Sequence, residues 1–148
     1  MISEETGESE GRSPVARRLR ATYAFAGATT ELARTVPLTA GEEVLLHGAM
    51  RLRRAGRLPR PVALRLTVTR LSLLLHHALQ PDRVWDGPRA AVRGVRLMRG
   101  TVRISWSDDA GGTTGIRLTR WTGRPALDSS LTDVDAVADT LSEWLRPG

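Results

Sequence analysis

The sequence predicts a mainly β domain with helices (α+β), a bent antiparallel barrel or sandwich of about seven strands capped by a C-terminal amphipathic helix. Three observations carry this expectation. Arg60 to His76 holds two runs in which apolar residues alternate with others, and period two places one set of side chains on one sheet face. Shorter alternating runs recur on both sides of it, separated by Gly, Pro and Asp, the punctuation of antiparallel strands. Near the C-terminus the apolar period lengthens to that of a helix.

Taken in order, residues 1–13 (MISEETGESEGRS) are polar and acidic. They offer too little apolar surface to offset chain entropy, so a disordered acidic tail is expected. Residues 14–35 read as an N-terminal helical extension that packs on the domain or on a partner. Ser13 and Pro14 suit the N-cap and first helical positions. Val15, Leu19, Thr22 with Tyr23, Ala26, and Thr30 with Ala33 fall on one helical face, and the helix is expected over 14–26. Residues 36–148 form the domain proper. After a connector (Val36 to Glu43), Glu43 to Arg53 alternates as one long strand. Val44, Leu46, Gly48, Met50 and Leu52 share one face. Leu45, His47, Ala49, Arg51 and Arg53 share the other. Gly48 marks a bulge or bend.

The central hairpin sets Val62, Leu64 and Leu66, then Leu71, Leu73 and Leu75, toward the core. Ala63, Arg65, Thr67, Ser72 and Leu74 fall on the opposite face. Pro81 and Asp82 make a turn, and Val84 with Trp85 a short strand that Gly87 and Pro88 break. Three strands follow, with Val95 and Leu97, then Val102, Ile104 and Trp106, then Ile116 and Leu118 pointing inward. Gly100 and Asp108 to Gly112 lie in their turns. In the closing helix Thr132 is the expected cap, with Asp135 three residues on. Val134, Val137, Ala138, Leu141, Trp144 and Leu145 form the apolar stripe, and Arg146 and Pro147 end the helix. Trp144→Ala is expected to cost about 3–5 kcal/mol.

The net charge is +6, and all 22 basic residues are Arg. A basic chain attracts nucleic acid, anionic lipid and acidic proteins. Arg without Lys, beside abundant Ala, Gly, Leu and Val, also suggests a GC-rich coding genome, under which much of the Arg is solubilising surface. No Cys is present, which excludes disulfides, thiol nucleophiles and Cys-based metal sites. No apolar run reaches the ~18–20 residues of a membrane span, and the acidic start is unlike a signal peptide. The expected setting is the cytoplasm, with a membrane-peripheral position as the alternative.

The runs PLTAGEEVLLHGAMRLRR, LRLTVTRLSLL and DRVWDGPRAAVRGVRL resemble bacterial pleckstrin-homology-like domains of the GRAM type. A leucine, a Gly-Glu and an apolar strand open the match. Leu64, Leu66, Thr67, Arg70 and Leu71 follow in a hairpin pattern similar to the family's. The resemblance covers about residues 36–146, and the N-terminal 35 residues lie outside it. Val68 and Thr69 depart from it, standing where a tight turn wants Asn, Asp or Gly, so the turn could lie at Val68-Thr69 or be shifted from it. The fold implied is a strongly bent, partly closed barrel capped at one end by the helix.

Candidate sites follow from charge and exposure. Arg51, Arg53, Arg54, Arg57, Arg60 and Arg65 cluster around the first strand–strand loop. In this fold class that loop often meets anionic head groups, whose phosphate oxygens Arg can fork. A second basic row, Arg89, Arg93, Arg96, Arg99 and Arg103 with Arg117 and Arg120 beyond, is a candidate phosphate-backbone stripe, with Trp121 as its one exposed aromatic. Leu45, Leu74 and Trp121 are interface candidates, since an apolar residue on a polar sheet face marks a partner or burial under the N-terminal helix. No catalytic group, metal cluster or cofactor motif stands out. His47, His76 and His77 make no metal site by spacing, and Gly111 and Gly112 lack a P-loop lysine. The expected role is a non-catalytic binding or adaptor module with a protein partner, self-association included. An anionic membrane surface is the alternative and nucleic acid the third reading.

Overall fold

The computed structural model describes residues 28–53, 60–75, 81–121, 131 and 133–147. The expected acidic tail and the helix over 14–26 lie outside these residues, as do Arg54, Arg57, His76, His77 and Thr132. Helix α1 (Ala28–Thr35) precedes seven strands. These are β1 (Val44–Leu52), β2 (Arg60–Thr67), β3 (Arg70–Leu75), β4 (Arg83–Pro88), β5 (Val92–Met98), β6 (Thr101–Ser107) and β7 (Thr113–Arg120). Helix α2 (Val134–Leu145) closes the chain. The strands form one antiparallel sheet in the order β4-β3-β2-β1-β7-β6-β5, joined between its outer strands by a single 3-10 turn, Arg89–Ala91.

The sheet curls on itself because its two halves share one core. Met50, Leu64, Leu66 and Leu71 from one half meet Val102, Ile104 and Leu118 from the other, all at most 0% exposed. The rings of Trp85 on β4 and Trp106 on β6 meet with centroids 5.0 Å apart, a tilted aromatic pair across the interior. Gly87 makes room for this. A Cβ there would lie 2.6 Å from the Trp85 ring, so Gly87 sits inside β4 beneath the indole rather than breaking the strand. β1 belongs to both halves. It pairs with β2 along its length but with β7 only over Met50 to Leu52.

Helix α2 buries Val134, Val137, Ala138, Leu141 and Trp144, the stripe the periodicity predicts, mainly against β5 and β6. Its N-cap is Asp133, one residue later than expected. The Asp133 carboxylate accepts from the Ala136 amide at 3.1 Å and satisfies one of the first-turn N–H groups.

Three local expectations are corrected. The irregularity in β1 falls between Val44 and Leu46, whereas Gly48 sits in regular register opposite Leu64. The extra residue is Leu45, which the slip turns outward. The hairpin turn is not shifted either. Leu66 pairs with Leu71, and Val68 and Thr69 make the turn. The Thr67 hydroxyl takes the place of turn-forming Asn, accepting from the amides of Thr69 (3.3 Å) and Arg70 (3.2 Å) as Ser and Thr do in turns. Finally, α1 buries Thr29 and Leu32, while Thr30 and Ala33 face solvent. With Val36, this face covers Ala63 and Leu74 on the outer side of the sheet. Every β2 residue after Arg60 is therefore buried, although Ala63, Arg65 and Thr67 read as a solvent face.

Candidate functional site

The closed end of the barrel carries an apolar surface. Val44, Leu45 and Val68 are 39%, 42% and 51% exposed. They are held together by the backbone. Val44 pairs with Thr67, the Val68 amide donates to the Glu43 carbonyl at 3.2 Å, and the Trp144 indole N–H donates to the Val68 carbonyl at 3.1 Å. Between β1 and α2 runs a shallow groove lined by Leu45, Asp139, Thr140, Glu143 and Trp144. Its walls are apolar and its rim on α2 is acidic.

An ion-pair network anchors this end. Arg70 forks Glu42, with Nε to Oε2 and Nη2 to Oε1 both at 2.9 Å, a bidentate geometry. Arg70 Nη1 reaches Asp86 at 3.1 Å and its Nη2 donates to the Pro37 carbonyl at 2.8 Å. The Thr67 hydroxyl adds a 2.6 Å bond to Glu42. Arg70 first, then Thr67 and the Thr39 amide, hold the Glu42 carboxyl far below the usual carboxylate range, while Glu42 raises Arg70. On the same face Arg65 is 2% exposed. Its Nη2 donates to the Val36 carbonyl at 2.6 Å, whereas Nε and Nη1 are buried without a hydrogen-bond partner. Desolvation, with Arg70 nearby, lowers its pKa. His47, paired across from Arg65, is likewise lowered, chiefly by desolvation.

The predicted arginine cluster is therefore divided. Arg65 lies under α1, out of reach of a solvent-borne head group. Arg51 and Arg60 are half-buried where β1 and β2 pair. Arg53 turns the other way, over β7, and donates to the Thr101 hydroxyl at 3.1 Å. Of the second row, Arg96, Arg103 and Arg117 come together as direct cross-strand partners. Arg89 instead donates to the Trp144 carbonyl. Among the interface candidates, Leu45 is exposed. Leu74 is 1% exposed beneath α1, and Trp121, expected to be an exposed aromatic, is 7% exposed against Ala49. Leu45 and Leu74 are not neighbours, because β2 runs between their strands. Sequence reading missed Val44 and Val68, which alternation assigned to a core face and to a turn. It also missed Glu42, which lay in a presumed connector.

Two antiparallel meanders, β1 to β4 and β5 to β7, joined where β1 pairs with β7 and closed by a C-terminal helix, make a mainly β architecture consistent with the pleckstrin-homology-like fold expected from the sequence. No family model matches the chain, and no curated protein matches it. Solved structures similar to it include two of low identity. One is the C-terminal domain of an unknown protein from Leishmania infantum, with a TM-score of 0.48 and 14% identity, covering 81% of this chain and 97% of that one. The other is human RhoA in complex with the DH/PH fragment of PDZRHOGEF, with a TM-score of 0.47 and 18% identity, covering 88% of this chain and 39% of that one. No helix among the described residues is long and apolar enough to cross a membrane.

Proposed function

We propose that this chain is a non-catalytic binding module of the GRAM type that engages a protein partner through the closed end of its barrel. The observation that carries the reading is that Val44, Leu45 and Val68 are exposed at one end of the barrel, where Leu45 lines the α2 groove. Apolar side chains collected in one place beside a groove mark an interaction surface more than scattered ones do. On the rim Glu143 is paired with Arg146 at 3.0 Å, and Asp139 favours a partner segment that carries a basic residue beside an apolar anchor. Such an anchor would pack on Leu45 and Trp144, with affinity concentrated there.

The test is affinity purification from the native cell with the wild type and with Leu45→Asp/Val68→Asp. Both side chains are solvent-facing, so the thermal midpoint stays within a few degrees. The expected result is a defined partner retained by the wild type and lost by the variant. A variant that keeps the same partners at the same yield sinks the assignment of this surface. Sedimentation of both proteins separates a second copy of the chain from a different partner.

A further inference from the structure

The outer face of β5, β6 and β7 carries a row of arginines that the register aligns. Arg96 pairs with Arg103, and Arg103 pairs with Arg117. Beyond them the Arg53 amide donates to the Arg117 carbonyl at 2.9 Å. Four guanidinium-bearing residues thus stand side by side across four strands, spanning roughly 14 Å at the usual strand spacing. All four are exposed. Like charges placed directly opposite one another repel, and among the described residues no carboxylate pairs with them. From Gly87 to Ser107 and from Thr113 to Trp121 the chain contains no Asp or Glu. Among the described residues, none pairs in a salt bridge with Arg53, Arg96, Arg103 or Arg117. The flanking rows are small or hydroxylic, with Thr101 and Thr119 on one side and Gly94, Ser105 and Gly115 on the other. Gly115 keeps the surface low beside the row, since a Cβ there would sit 3.5 Å from Arg103 Nε.

We infer that this row is a sequence-independent docking site for the phosphodiester backbone of a nucleic acid. A line of guanidinium cations matches phosphate oxygens. An acidic peptide lying along the row would run across the strands, where the sheet offers it no main-chain hydrogen bonds. The barrel face is convex, so a flat bilayer would meet only part of the row. With Trp121 buried against Ala49, the described face has no aromatic stacking platform. Recognition is therefore of the backbone rather than of bases.

Fluorescence anisotropy with a labelled random-sequence DNA duplex tests this. Four phosphate contacts predict a log–log salt slope of about −3.6, or about 150-fold weaker binding at 200 mM than at 50 mM salt. Arg103→Gln/Arg117→Gln should halve the slope to about −1.8 and leave a salt effect of about 12-fold, with thermal stability unchanged or raised. Arg146→Gln, an exposed arginine elsewhere, should bind as the wild type does. A flat salt response, or a double variant that binds duplex as tightly as the wild type, overturns the inference. So does loss of binding to phosphatidylserine vesicles or polyglutamate in the double variant when duplex is not bound by either protein.

Discussion

Glu42 and Arg70 set the behaviour of single residues at the closed end. The carboxylate is forked by Arg70 and bonded by Thr67 and Thr69, so its charged form is favoured in the folded chain. A depressed carboxyl pKa stabilises the fold above the unfolded value, and that contribution is lost as pH falls through the folded one. The stabilisation is thus complete above about pH 5 and declines as pH drops below the ordinary 4.5. Glu42→Gln should lower the thermal midpoint at pH 7 and flatten its decline between pH 5 and pH 2; parallel thermal melts of both proteins across that range read the difference. An unchanged acid slope would mean that Arg70 does not hold the carboxylate in solution. Little of this was legible in the sequence. Glu42 and Arg70 are 28 positions apart, and only the fold brings a connector carboxylate onto the hairpin turn.

At the level of elements, legibility followed the number of faces buried. Helix α2 and strands β6 and β7 cover one face, and their periodicity gave the inward set correctly, from Val102 and Ile104 to Leu141 and Trp144. Strand β2 is covered on both faces, and alternation cannot report a helix lying over its second side. The one signal was Leu74, an apolar residue on a nominally polar face, which packs with Leu32, Val36 and Ala63. Leu32→Ala should cost about 2–5 kcal/mol, with the loss read by urea unfolding. Hydrogen exchange at α1 should accelerate more than at β6, because Leu32 anchors the helix to a small cluster separate from the main core. The Val68-Thr69 turn was illegible for a different reason. Its geometry is held by the Thr67 hydroxyl and by Trp144 on α2, not by the glycine chemistry that identifies most tight turns.

At the scale of the whole molecule, the described residues present two chemically distinct surfaces. The closed end is apolar with an acidic rim, and the outer face of β5 to β7 is a ridge of arginines. Net charge alone placed neither. It predicted basic character, but the described members of the first Arg-rich stretch divide into a buried residue (Arg65), half-buried positions (Arg51 and Arg60) and one member of the ridge (Arg53). Only the pairing register shows that Arg53 joins Arg96, Arg103 and Arg117. The proposed protein-binding role rests on the closed end, and site-specific photo-crosslinking tests it most directly. A benzophenone side chain at Leu45, with Ala110 in the β6–β7 turn as the control position, is irradiated in the native cell. The account predicts one discrete adduct from position 45 and none from 110. The same adducts from both positions, or none from 45, would contradict it.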